Sequence, residues 1–225
     1  MNYIIACNRH WCESLTEILE AETGHKFHLI ANKDGLTMEV VEKINPEYIF
    51  FPHWSSIIPE GIYSKYECVI FHMTDLPYGR GGSPLQNLIV RGHQETMLSA
   101  LKSEEELDAG PIYLKEKLSL HGSAEEIYIR ASKQIETMIV KILSEKPEPI
   151  EQEGEILSFK RRNPEQGDWS EASSLEEIFD TIRMLDATGY PPAFIEVGPY
   201  KLEFSRASLK TDEVIADVKI SMVKE

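Results

Sequence analysis

His72 and Asp108, 36 positions apart, are the residue types best suited to chemistry at neutral pH. A histidine can give or take a proton there, and a carboxylate within reach can orient the ring. The apolar run Cys68 to Phe71 reads as a strand, which sets His72 at a strand end. Behind it, Thr74, Leu76, Pro77, Arg80, Gly81 and Pro84 belong to a proline-glycine segment that makes the chain turn. Each residue alone has a plainer reading, His72 as a strand-end histidine and Asp108 as a turn residue before Ala-Gly-Pro. Together they are the minimum kit for moving a proton. Cys68 shares the strand face of His72, but no third and fourth ligand accompanies the pair, so no metal is expected.

Short strands and amphipathic helices must position these groups. Strands are expected at Tyr3 to Cys7, Phe27 to Ala31, Tyr48 to Phe51, Cys68 to His72 and Thr96 to Leu101. Helices are expected at Trp11 to Glu22 and Met38 to Ile44. This alternation predicts an α/β fold, a Rossmann-like, mainly parallel sheet that binds ligands at strand carboxyl ends. Ser123-Ala-Glu-Glu126 is a capping box opening a long helix, and Ile127, Ala131, Ile135, Ile139 and Ile142 give it one apolar face. Ser174-Leu-Glu-Glu177 starts another helix, ended by Gly189-Tyr-Pro-Pro. Phe194 to Val197 and Lys201 to Phe204 flank Gly198-Pro199 as a hairpin, and Val214 to Met222 alternates as a further strand. Residues 1–146 therefore read as a catalytic α/β domain, and 155–225 as a small β-rich subdomain.

Composition narrows the partners. The 225 residues are 42% hydrophobic, enough for a substantial core, and the net charge of −15 argues against a nucleic-acid partner. Three cysteines without regular spacing provide no disulfide framework. No leader and no membrane-length apolar run is visible, so a reduced cytoplasmic protein without membrane contact is expected. A dinucleotide fold is excluded, because Asn8-Arg-His-Trp-Cys12 follows the first strand where a Gly-x-Gly-x-x-Gly turn would stand. Gly79-Arg-Gly-Gly82 lacks the Gly-Lys-Ser/Thr of a phosphate loop.

His72-Met-Thr-Asp-Leu-Pro77-Tyr-Gly-Arg80-Gly81-Gly-Ser-Pro84 resembles the His-x-Ser-Leu-Leu-Pro-x-x-Arg-Gly-x-x-Pro signature of the folate-dependent formyltransferases. Gly92 to Thr96 is similar to their Gly-x-x-Glu-Thr, and Leu107-Asp108-Ala-Gly110 to their Asp-Ala/Thr-Gly, with the same interval from histidine to aspartate. The match is good over about residues 45–145. Phe159-Lys-Arg-Arg-Asn-Pro-Glu165, Trp169-Ser and Gly189 to Phe194 resemble the C-terminal elements of the sugar and methionyl-tRNA branches. The whole chain resembles most the enzymes that formylate nucleotide-linked 4-amino-4,6-dideoxy sugars, of the UDP-linked, pseudaminic-acid type.

The resemblance implies an N-formyltransferase using N10-formyltetrahydrofolate and a nucleotide-linked amino sugar, working without metal or nucleic acid, as a homodimer. His72 would take the amine's proton, and Asp108 would orient it and relay protons. Trp54, Leu76 and Asp108 would contact the folate; Thr74, Arg80, Gly81 and Gln86 would contact the acceptor. Trp54 and Arg80 are equally compatible with packing and loop-anchoring roles. Lys160 to Arg162 could meet a diphosphate or stay solvated. The family carries an asparagine two residues before the histidine, where this chain has Ile70. Losing such an oxyanion donor costs about 10²–10³ in rate. Thr74, Gln86, Asn87 or a backbone N–H would have to replace it; otherwise the enzyme is slow or a silent binding protein. An aminoacyl-tRNA acceptor is the alternative within the same chemistry.

Overall fold

The computed structural model describes residues 1–223. Its strands are β1 (Asn2–Ala6), β2 (Lys26–Ile30), β3 (Tyr48–Phe51), β4 (Glu67–His72), β5 (Tyr78–Gly81), β6 (Glu95–Lys102), β7 (Ile112–Ser119), β8 (Leu157–Phe159), β9 (Ala193–Val197), β10 (Tyr200–Leu209) and β11 (Val214–Met222). The helices are α1 (Leu15–Thr23), α2 (Met38–Ile44), α3 (Glu60–Tyr63), α4 (Pro84–Ile89), α5 (Ala124–Glu145) and α6 (Leu175–Leu185). The chain forms two compact units. The first comprises Met1–Gly81, Thr96–Leu118 and Ile129–Ser158; the second comprises Gly82–Glu95, Ser119–Tyr128 and Phe159–Glu225.

The first unit is built on a six-stranded sheet in the order β2-β1-β3-β4-β6-β7. Pairs β1–β2, β1–β3 and β3–β4 are parallel, and β4–β6 is antiparallel with His72 opposite Ser99. The apolar runs of β1 and β3 are buried as a parallel sheet demands, with Ile4, Ile5, Ile49, Phe50 and Phe51 fully enclosed. On one face Ile4, Ala6, Val41, Ile49, Phe51 and Ile62 pack into a continuous core. The α5 positions expected to be apolar, Ile127, Ala131, Ile135, Ile139 and Ile142, are all fully buried. Its N-terminus is closed by the predicted box: Ser123 Oγ accepts from Glu126 N–H, and the Glu126 carboxylate accepts from Ser123 N–H.

In the second unit β11, β10 and β9 form an antiparallel sheet, with the hairpin turning at Gly198. Ala193, Ile182 and Met184 are enclosed in it, as are Leu85, Leu88 and Ile89 of α4. Arg183 is buried beside them, its Nη1 donating to the Leu120 and Gly122 carbonyls and its Nε to Asp180.

Several local expectations change. The helix expected over Trp11 to Glu22 is a 3₁₀ turn at His10–Cys12 followed by α1, which ends at left-handed Gly24. Cys7 and Cys12 are disulfide-bonded, because the turn after β1 folds back to bring their Cα atoms to 6.3 Å. Regular cysteine spacing was the wrong test for a bond made by a local turn. Helix α6 stops at Leu185, four residues before Gly189. Strand β7 escaped the apolar pattern because Lys115-Glu116-Lys117 interrupt it, which an edge strand tolerates. Among the described residues no helix is long and apolar enough to cross a membrane.

Candidate active site

Strand β4 delivers His72 to its carboxyl end, and the chain turns through Thr74 and the Leu76–Pro77 cis peptide into β5. His72 is buried, with Nε2 at 2.8 Å from the Gly79 carbonyl oxygen. A carbonyl oxygen only accepts, so Nε2 is the nitrogen that donates there. Nδ1 lies 3.5 Å from Asp108 Oδ2. The same oxygen accepts the Gly81 N–H at 2.9 Å, which ties the two halves of the motif together.

Asp108 is held in the left-handed region, φ +53°, a conformation aspartate tolerates better than most side chains. Its loop presses on β6 so closely that a Cβ on Gly110 would meet Lys102 O at 2.1 Å. Only glycine permits that approach. Thr74 is fully buried; its Oγ1 donates to Gly79 O at 3.3 Å, and its own carbonyl accepts from Ser99 Oγ at 2.7 Å. The acceptor of the His72 proton is therefore itself held in place.

Arg80 is buried as a loop anchor: Nε and Nη2 donate to Gln152 Oε1, and Nη1 to Glu106 Oε1 at 2.9 Å. Leu76 is packed inside, 1% exposed. Trp54 packs edge-on against Phe51, and its buried indole N–H has no hydrogen-bond partner among the described residues. Gln86 lies in the second unit, with its Nε2 donating to Tyr128 Oη and Met184 O. Asn87 Nδ2 likewise donates to the Gly82 and Lys160 carbonyls. Ile70 packs on the core of the first unit. Of the named candidates, His72, Thr74, Leu76, Arg80, Gly81 and Asp108 thus share one segment pair, Gln86 is engaged in the other unit, and Trp54 sits on the loop after β3.

Three residues gave no sequence signal. Ser99 and Gln152 act through single hydrogen bonds or clamps, which leave no periodic trace. His53 follows β3 at φ +49°, and its Nε2 lies 2.8 Å from Ser132 Oγ. Burial, aided by Arg9, pushes its pKa down to about 4. Burial pushes the Cys68 thiol up to about 12, so it is not a thiolate at neutral pH.

The first unit thus carries a mainly parallel sheet with histidine at a strand end and aspartate on an adjoining loop, and the second is small and β-rich. Residues 21–143 match the family model described as formyl transferase, and residues 164–221 match the C-terminal domain model of methionyl-tRNA formyltransferase. The chain belongs to the formyl transferase family. A solved structure described as methionyl-tRNA formyltransferase from Clostridium thermocellum is 52% identical, covers 99% of this chain and 100% of that one, and superposes with a TM-score of 0.96. The methionyl-tRNA formyltransferase of Caldicellulosiruptor saccharolyticus is 34% identical over 109 residues, 48% of this chain and 34% of the relative. The chain spans about a third to a half of the first curated relatives it matches. A sugar N-formyltransferase from Shewanella sp. covers 94% of this chain and 99% of its own at 14% identity, with a TM-score of 0.73, a likeness of fold alone.

These matches overturn two expectations. The nucleotide-linked amino sugar acceptor rested on a resemblance to the sugar branch, whereas the relatives that share sequence are methionyl-tRNA formyltransferases. The exclusion of nucleic acid rested on net charge averaged over the chain, which does not describe any one surface.

Proposed function

We propose that this chain transfers a formyl group from N10-formyltetrahydrofolate to the α-amino group of methionine carried on tRNA. The observation that carries this reading is the 52% identity, over essentially the full length of both chains, to a protein described as methionyl-tRNA formyltransferase. Local charge supports it. In the second unit Lys160 and Arg161 are exposed, and Arg162 is close enough to Arg91 for the latter, after burial, to lower its pKa. Phosphate contacts need such a cluster, not a basic chain.

The folate group fits the residues present: the Trp54 indole N–H is a buried donor lacking an acceptor among the described residues, beside apolar Phe51. Trp54 and Asp108 would hold it, whereas Leu76, packed inside, would only support the pocket wall from behind; when bound the folate supplies the electrophilic formyl carbon. His72 would take the proton an attacking amine must lose. Asp108 orients the ring and lies against the charge His72 gains, while the Gly81 N–H fixes the carboxylate. Ile70 offers no donor, and the amide groups of Gln86 and Asn87 are committed elsewhere. The charge His72 gains, rather than a free N–H of its ring, is then what would offset the oxyanion.

The test supplies labelled N10-formyltetrahydrofolate with methionyl-tRNA and follows label onto methionine. Transfer that disappears in His72→Ala supports the proposal. Transfer to another amine, with methionyl-tRNA untouched, overturns it.

A further inference from the structure

Residues 144–163 lie between the two family matches, in an acidic stretch that resembles a passive tether. Its residues 144–158, which belong to the first unit, are instead laid across the catalytic segments. Ile150 exchanges both backbone hydrogen bonds with Ile112, at 2.7 and 2.9 Å. Gly154 lies against Pro77, where an added Cβ would be 3.7 Å from the ring, and the Leu157 N–H donates to Pro77 O. Between these fastenings sits Gln152. Its Oε1 accepts from Arg80 Nε at 3.1 Å and Nη2 at 2.9 Å. Its Nε2 donates to Asp108 O at 2.9 Å and Gly110 O at 2.8 Å.

One amide therefore joins the loop carrying Asp108 to strand β5, which carries Arg80 and Gly81. The Asp108 carboxylate bonds Gly81 N–H and faces His72, so both ends of the histidine's partner are set by this clamp. Asp108 also occupies a left-handed backbone conformation that its own side chain does not enforce. A glutamine is suited to the task because it presents an acceptor to a guanidinium and two donors to carbonyls at once. We infer that the interdomain segment is a strap over the catalytic centre and that Gln152 is a positioning residue acting through Asp108. The kinetic part of this inference rests on the proposed formyl transfer; the geometric part does not.

Gln152→Leu keeps the volume and removes every polar contact, and Gln152→Glu keeps the acceptor for Arg80 but turns the donor into an oxygen facing two carbonyls. The full chain carrying either variant is measured in two ways. In the methionyl-tRNA assay kcat is expected to fall about 10–100-fold with KM unchanged within about twofold, the signature of a displaced catalytic group. Hydrogen exchange of the Gly81 amide, read by NMR, is expected to quicken about tenfold or more while amides in β1 and β3 stay protected. Exchange at Gly81 that matches the parent, in whichever variant folds, overturns the inference, as does an undiminished kcat. Should the parent itself transfer no formyl group to methionyl-tRNA, the functional reading falls, and Gly81 exchange alone then decides the strap.

Discussion

Asp108 separates chemistry from architecture. Its carboxylate receives the Gly81 N–H at 2.9 Å, its backbone sits at φ +53°, and it faces His72 Nδ1 at 3.5 Å. Asp108→Asn preserves the first two features, since asparagine tolerates the left-handed region and its Oδ1 still accepts. It removes the negative charge. A unit pair at that separation is worth about 5 kcal/mol at an effective dielectric near 20. Both groups are buried, so desolvation offsets part of this, and a net loss of about 2–3 kcal/mol remains when His72 becomes protonated. That corresponds to roughly 10²-fold in kcat/KM, with the melting temperature within about 3 °C of the parent. Asp108→Ala loses the charge-assisted hydrogen bond, about 1.5–3 kcal/mol, and forces alanine into the left-handed region for about 1 kcal/mol more. It should melt roughly 5–15 °C lower as well as lose activity. Steady-state formyl transfer and thermal melts on both variants make the comparison. An Asp108→Asn enzyme within about threefold of the parent in kcat/KM refutes the assignment of charge to this residue.

Gly110→Ala should destabilise by about 1–3 kcal/mol, seen as a lower melting temperature, because its Cβ would lie 2.1 Å from Lys102 O. Arg183→Met leaves the Leu120 and Gly122 carbonyls without their donor and is expected to cost about 2–4 kcal/mol in urea unfolding. His53 binds its proton more weakly in the folded chain, at about 4, than in the unfolded chain. Its contribution is therefore present above pH ~6.5 and is lost as pH falls toward 4, on the order of 1–3 kcal/mol. His53→Asn, which suits φ +49°, should flatten the melting temperature measured across that window.

Much of the fold could be read from local patterns. Buried strands β1, β3 and β4 carry unbroken apolar runs, and α5 repeats its apolar residues at helical spacing from a capping box that closes as written. Such signals survive because each depends on neighbours within one element. Strand β7 did not show, since an edge strand need not be apolar on every residue. The disulfide did not show either, because it depends on where the turn after β1 leads.

The site divides along the same line. By itself the sequence determined that His72 ends a strand, that a turning loop follows, and that Asp108 stands at the family interval, since these are matters of residue type and order. Only the tertiary structure decided that Nε2 of His72 is held by Gly79 O while Nδ1 faces Asp108. It alone placed Gln152 between Arg80 and Asp108, and it alone committed the amides of Gln86 and Asn87 to the second unit. Those facts are hydrogen bonds that no local pattern pairs, most of them between residues far apart in the chain. A buried polar group must find its partner wherever the fold brings one, and composition and periodicity carry no record of that choice.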